Sequence, residues 1–196
     1  MKSSIIPLSL VLSAVALPLL HADDVTETIE EATAYYADEN YSEAASSLNY
    51  AVQLINQKAS EQLGQFLPEA PDGWEKGEPE YQSAGASLFG GGNTASARYS
   101  NGNATLTVTI AANSPALQSM MMFVNNPAFL GASGKKIERI GGQKALVEWS
   151  DNYGNINVIV AGTALLTVEG SETTLEAATA LAEAVNYKKL VAQLMQ

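Results

Sequence analysis

Two short patterns in the chain have the spacing used by serine–lysine hydrolases. Ser133 and Lys136 form a Ser-x-x-Lys pair, and residues 150–152 read Ser-Asp-Asn, as in penicillin-binding enzymes. No Lys-Thr-Gly sequence follows them. In addition, Gly131 and Gly134 favour a turn where the serine and the lysine would need a helix. We therefore interpret both matches as coincidental and assign no catalytic residue.

Paired carboxylates are the remaining enzymatic chemistry. Glu75, Glu78 or Glu80 could work with Glu148 or Asp151 as the acid and nucleophile of a glycosidase. Such a pair must be held about 5 to 10 Å apart beside a sugar cleft. Because most surface carboxylates are simply solvated, a carboxylate-dependent envelope hydrolase is an alternative function and not the leading one.

Three further patterns resemble ligand sites. Met120, Met121 and Met122 offer thioethers to Cu(I), but adjacent residues of a helix diverge by about 100°. The glycine run at 90–92 lacks the Lys-Ser or Lys-Thr that follows in phosphate-binding loops. Residues 151–155 offer oxygen ligands in an order that fits a turn better than a calcium loop. The sequence therefore predicts no cofactor and no metal site.

Histidine and cysteine supply most nucleophilic catalysis and most zinc or copper ligands. The chain has no cysteine, and its one histidine is His21, within a predicted signal peptide at residues 1–22. Removing that segment also removes Lys2, so the formal net charge of −11 becomes −12. The mature chain cannot build a Ser-His-Asp or Cys-His system. Its acidity also argues against nucleic-acid partners and anionic lipid surfaces.

The signal-peptide prediction rests on composition. Lys2 precedes an apolar run at residues 5–20 that two prolines interrupt, and this run is shorter than the roughly 20 apolar residues of a spanning helix. We expect cleavage after Ala22, a periplasmic location, and no stable membrane insertion of the mature chain. A retained anchor is the alternative, because Leu20 is larger than the residue preferred at that cleavage position.

The pattern of residues 23–66 predicts a helical hairpin, because apolar residues recur every three or four positions on each side of a short break at 38–40. Asp24 and Asn40 are the predicted N-caps, each followed three residues later by a glutamate. Residues 34–45 resemble one tetratricopeptide repeat unit, and a single unit is expected to pack on its own domain. The recurring apolar positions are Val25, Ile29, Ala32, Tyr36, Tyr41, Ala45, Leu48, Val52, Ile55 and Ala59.

Residues 67–81 are rich in proline and glycine and predict a linker, with Trp74 packed on a sheet edge. Residues 82–196 predict an α+β sandwich domain. Its expected order is three strands, a helix opened by Ser114 and Pro115, four strands, and a final helix capped by Thr173. The strands are expected near 84–89, 94–100, 104–111, 136–140, 143–150, 155–161 and 164–170. The overall fold class is thus α+β, an α-hairpin followed by an antiparallel sheet flanked by helices.

Three short motifs occur in the second part of the chain: residues 71–74 read Pro-Asp-Gly-Trp, residues 140–145 read Ile-Gly-Gly-Gln-Lys-Ala, and residues 165–170 read Leu-Leu-Thr-Val-Glu-Gly. In these motifs, residues 67–196 resemble the PsbP-like group of α/β/α sandwich domains. The resemblance implies an accessory or binding module rather than an enzyme, and it transfers no functional residue. The leading hypothesis is an exported, non-catalytic protein that binds a protein or peptide partner in the cell envelope. A carrier of a small apolar ligand, held between sheet and helix, is a further alternative.

Overall fold

A computed structural model of the chain describes residues 23–82, 92–125 and 135–195. The predicted signal peptide, the strand expected at 84–89, most of the glycine run at 90–92, and Ser133 lie outside these residues. Five helices are described: α1 Asp24–Ala37, α2 Tyr41–Gly64, α3 Pro115–Asn125, α4 Leu175–Glu183 and α5 Tyr187–Leu194. The described strands are β1 Glu75–Lys76, β2 Glu80–Gln82, β3 Asn93–Asn101, β4 Ala104–Ala112, β5 Lys136–Ile140, β6 Gln143–Ser150, β7 Tyr153–Val160 and β8 Ala164–Ser171.

The eight described strands form one antiparallel sheet in the order β1-β3-β4-β8-β7-β6-β5, with β2 also paired to β3. Tight turns join most sequential neighbours. Gly141 and Gly142, for example, have φ values of 56° and 80°, as a two-residue hairpin turn of the type I′ class requires. The two N-terminal helices precede this sheet, which confirms the predicted α+β fold class.

Helices cover both faces of the sheet. One face carries the main core, in which Val158 and Leu166 of the strands pack with Leu63 of α2, Leu181 of α4 and Leu190 of α5. The opposite face carries a smaller cluster, in which α3 places Leu117 against Leu146, Ile159 and Leu165. The alternation of inward and outward residues along each strand produces these two layers.

The residues predicted as a linker are not wholly irregular. β1 and β2 both fall within or next to residues 67–81 and pair with β3. The Tyr99 hydroxyl donates a hydrogen bond of 2.6 Å to the Pro68 carbonyl, which ties this segment to β3. Trp74 is partly buried against the main core, as predicted. The proline- and glycine-rich sequence therefore forms the edge of the sheet.

The C-terminal helical region also differs from its prediction. The cap of α4 is Thr174, whose hydroxyl accepts a hydrogen bond of 3.2 Å from the Ala177 amide, and not Thr173. Thr173 is instead buried, and its backbone amide donates a hydrogen bond of 2.9 Å to the Asn152 carbonyl. The helix then ends at Glu183, and Asn186 begins α5 by accepting a bond of 3.0 Å from the Lys189 amide. The predicted final helix therefore corresponds to α4, and α5 is an additional helix that the sequence analysis did not predict.

An indole ring closes one end of the main core. Trp149 on β6 pairs with Gly154 on β7, which pairs in turn with Gly170 on β8. A Cβ added at Gly170 would contact Trp149 Cη2, and a Cβ at Gly154 would lie 2.8 Å from Trp149 Cδ2. The ring therefore lies across both glycines, which have no side chain to compete with it.

Candidate functional site

The structure describes only part of the two serine–lysine patterns. Asp151 lies in the turn between β6 and β7 with φ 48°, and the Asn152 side-chain amide donates to the Glu172 carboxylate at 2.8 Å. Lys135 forms an ion pair of 3.0 Å with Glu148. Residues 150–152 therefore belong to a hairpin turn, and the structure does not describe Ser133.

The predicted carboxylate pairs are also far apart. Glu75 and Glu80 lie on β1 and β2 at one side of the sheet, whereas Glu148 lies on β6. Five strand spacings separate β1 from β6 in the sheet order, a distance of about 24 Å at about 4.8 Å per strand. This exceeds the separation that a glycosidase pair uses, so the geometry does not support that alternative.

The three methionines of the possible Cu(I) site lie in different surroundings. Met120 packs against the smaller core cluster, while Met121 and Met122 are 37% and 69% exposed. The three thioethers therefore diverge, as the helical geometry predicted. Residues 151–155 form the β6–β7 turn and the start of β7. Within the described ranges, no group of three or more His, Cys, Asp or Glu residues is arranged to hold a metal ion.

A cavity of about 340 Å³ lies between α3 and the sheet. Met121, Val124 and Ile159 give it an apolar wall, and Arg139 and Lys144 stand at its edge. These two cations are directly opposite each other on β5 and β6, an arrangement that costs free energy through like-charge repulsion. The cavity occupies the position between sheet and helix that the carrier hypothesis requires.

The N-terminal hairpin offers a different kind of surface. α1 packs along α2, and small residues are buried where they meet: Ala32 on α1, and Ala44 and Ala51 on α2. The first helix is capped by Asp23, which accepts a bond of 3.1 Å from the Thr26 amide, and not by Asp24. That hydrogen bond lowers the pKa of Asp23 below its ordinary value. Asn40 occupies the predicted cap position of α2 but makes no capping bond with its side chain.

Two contacts near the C-terminal end of α2 fix this helix to the sheet. The Ser60 hydroxyl, fully buried, donates a hydrogen bond of 2.8 Å to the Gln82 carbonyl on β2. Leu63 is 4% exposed and belongs to the main core. The earlier turns of α2, together with α1, extend from this attachment as a two-helix arm.

One side of this arm is apolar and open to solvent. Its six large side chains are each 42–67% exposed, and we call them the apolar flank: Ile29, Tyr36, Tyr41, Leu48, Val52 and Ile55. The Tyr36 and Tyr41 rings meet edge to face, with centroids 5.6 Å apart, which joins the row on α1 to the row on α2. Since residues seven apart share one face of a helix, Ile29 continues the first row, and Leu48 and Ile55 continue the second.

The opposite side of the arm is polar. Ser47 donates a hydrogen bond of 3.3 Å to the Glu31 carboxylate, and Tyr50 lines a groove with Asp24, Glu27 and Glu31. The apolar stripe recognised in the sequence is therefore largely solvent-exposed, whereas the helices meet through the small residues beside it. Side-chain size distinguishes the exposed stripe of large apolar residues from the buried stripe of alanines, because alanine lets two helices approach more closely than a large side chain does.

No family model matches the chain, and no curated protein matches it. Among solved structures, the chain is similar to MucB in a crystal structure of MucB in complex with MucA(peri), with 18% sequence identity and a TM-score of 0.31. The match covers 60% of this chain and 34% of that chain, so it spans about a third of the MucB chain's length. No helix of the described ranges is long and apolar enough to cross a membrane.

Proposed function

We propose that this is a non-catalytic accessory protein of the periplasm, and that it binds a protein or peptide partner on the apolar flank. The observation that carries the proposal is the exposure of six large apolar side chains on one side of the arm. Contiguous exposed apolar surface of this kind marks interaction sites in soluble proteins. The apolar run at residues 5–20, within the predicted signal peptide, supports the periplasmic location.

The size of the flank is consistent with a partner of moderate affinity. Full burial of a large apolar side chain is worth about 1.5–3 kcal/mol, so covering the exposed half of each gains about 1 kcal/mol. Six such residues contribute about 6 kcal/mol, and a matching partner surface contributes a similar amount. Association costs about 4–15 kcal/mol in lost freedom and ordering. The flank can therefore hold a partner only when the two apolar surfaces fit closely.

Site-specific photo-crosslinking in the native envelope tests this proposal. A benzoylphenylalanine replaces Tyr41 on the apolar flank or Tyr50 on the polar side, both of which are more than half exposed. We expect a discrete adduct from position 41 alone, with its partner identified by mass spectrometry, and loss of the adduct when Leu48→Gln is added. Equal adducts at both positions, or none at position 41, would contradict the proposal.

The layered arrangement supports two further parts of the proposal. The helical hairpin at residues 23–66 carries the binding arm, residues 82–196 form an α+β sandwich, and residues 67–81 connect the two. Helices on both faces of an antiparallel sheet are consistent with a PsbP-like domain over residues 67–196. In this organisation the sandwich supports the arm, and the arm contacts the partner.

A second candidate function is the carriage of a small amphiphile in the cavity between α3 and the sheet. The cavity combines an apolar wall with the facing cations Arg139 and Lys144, a combination that suits a short apolar tail bearing an anionic group. Native mass spectrometry of freshly purified protein tests this function. We expect a bound mass that disappears in an Arg139→Gln/Lys144→Gln variant, and preparations without any bound mass would refute it.

A further inference from the structure

We infer that the occupant of the apolar flank is a cationic amphipathic helix of about three heptads, which completes a three-helix bundle with α1 and α2. The inference rests on the proposed function and specifies the partner's chemistry. Three properties support this occupant: the spacing of the flank residues, the geometry of the two helices that carry them, and the charge of the arm.

The spacing on α2 is that of a coiled-coil seam. Tyr41, Ala45, Leu48, Val52, Ile55 and Ala59 follow one another at intervals of four, three, four, three and four residues, the alternation of d and a positions in a heptad repeat. These residues form a continuous row on a single helix without proline or glycine before Gly64. A seam with this period matches another helix, whereas an extended strand would present side chains with a period of two.

The length of the partner follows from the seam. From Tyr41 to Ala59 the row occupies 19 residues, which is about 27 Å of helix at about 1.5 Å per residue. α1 adds Ile29 and Tyr36, one heptad apart, along the same side of the arm. A helix of about 18–21 residues placed in the groove between these rows would contact both, and every helix of the resulting bundle would touch the other two.

The charge of the arm selects among possible helices. Residues 23–57 contain eight acidic residues and no lysine or arginine. Among the described residues, the only ion pair that neutralises one of these eight carboxylates is the 3.3 Å contact between Asp23 and Lys58. Three of the eight carboxylates, those of Asp24, Glu27 and Glu31, line the groove on the polar side, and a second copy of the chain would add the same net negative charge to the arm. A helix rich in lysine or arginine is therefore favoured over self-association.

Designed peptides test the inference on the full mature chain. The first 21-residue peptide carries leucine at its a and d positions and lysine at its charged positions. The second carries glutamate in place of each lysine. The third has the composition of the first, with the order of its leucines scrambled. Binding is measured by fluorescence anisotropy at low and moderate salt, and sedimentation of the protein alone measures self-association.

We expect the lysine heptad peptide to bind at least tenfold more tightly than either of the other peptides and to weaken as salt rises. Leu48→Gln/Val52→Gln should reduce its affinity at least tenfold, while the matched control Tyr50→Gln on the polar side should leave it unchanged. Circular dichroism should show the same helix content in all variants, because the substituted side chains are about half exposed.

Other outcomes overturn the inference. Equal binding of the scrambled lysine peptide would show general electrostatic attraction and no helix groove, and equal binding of the glutamate peptide would remove the charge argument. Dimerisation abolished by Leu48→Gln would identify a second copy as the occupant. If position 41 crosslinks to a partner without a cationic helix, the proposed function stands and the inference fails. If position 41 crosslinks to nothing, the proposed function fails independently of the peptide result.

Discussion

Two leucines of α2 should respond very differently to truncation. Leu63 is 4% exposed within the main core, whereas Leu48 is 51% exposed on the apolar flank. A buried leucine replaced by alanine typically costs about 2–5 kcal/mol, because transfer free energy is lost and a cavity remains. Leu48 has about half of its burial to lose and leaves no closed cavity, so Leu48→Ala should cost about 1 kcal/mol.

The assay is equilibrium urea unfolding of the mature protein, followed by far-UV circular dichroism. For an m-value of about 2 kcal/mol/M, Leu48→Ala should lower the midpoint by about 0.5 M and Leu63→Ala by about 1–2.5 M. Both substitutions change the same side chain on the same helix, and a difference of about 0.2 kcal/mol or less in helix propensity between leucine and alanine is small beside the expected difference from burial.

A result with equal shifts would refute the reasoning. Leu48 would then be buried in solution, by a second copy or by another part of the chain, and the apolar flank would not be a free surface. Repeating the wild-type measurement over a hundredfold range of protein concentration separates these two causes, because only a dimer has a midpoint that rises with concentration.

Three further predictions concern the sandwich. Gly170→Ala should lower the free energy of unfolding by about 1–3 kcal/mol in urea titrations, because the new methyl group overlaps the Trp149 ring. Ser60→Ala should cost about 1 kcal/mol by the same assay, because the Gln82 carbonyl on β2 then keeps only the longer of its two hydroxyl donors, Thr94 at 3.5 Å. Burial raises the pKa of Tyr99 and of Tyr187. Since the folded-state pKa exceeds the unfolded-state value near 10, stability is complete below that pH and then falls by up to about 1.4 kcal/mol per pH unit per tyrosine. Tyr99→Phe should reduce that alkaline slope, and an unchanged slope would contradict the assignment.

The sheet was predictable from sequence because its signals are local. Alternation along residues such as Thr105, Leu106 and Thr107 gives the period of β4, and glycine pairs such as 141–142 give the turns. β1 and β2 were missed because each has two or three residues, too few to show a period. The sequence prediction ended with one helix whose apolar positions run to Val185, and it missed α5, which has only eight residues, about two turns.

The candidate site was only half predictable. The sequence shows that α2 is amphipathic, and it places the residues of the flank on one stripe of the hairpin helices. It does not show which neighbour each side of the helix meets. Ala44 and Ala51 are less hydrophobic than Leu48 and Val52, yet they are the buried residues, because α1 approaches closely only over small side chains. Hydrophobicity alone therefore selects the wrong stripe as the one that is buried.

The pairing of β4 with β8 determines how this chain must fold. Adjacent hairpins can form β3–β4 and the β5–β8 meander from short segments, but Ala112 pairs with Ala164 and Thr105 with Ser171, 52 and 66 residues apart. Closing a loop of that length costs about 3.5 kcal/mol of chain entropy before any ladder contact compensates for it. The two half-sheets should therefore form early and join late, as the slow step. Until the half-sheets join, β4 and β8 each present an unpaired strand edge, so aggregation through these edges competes with folding.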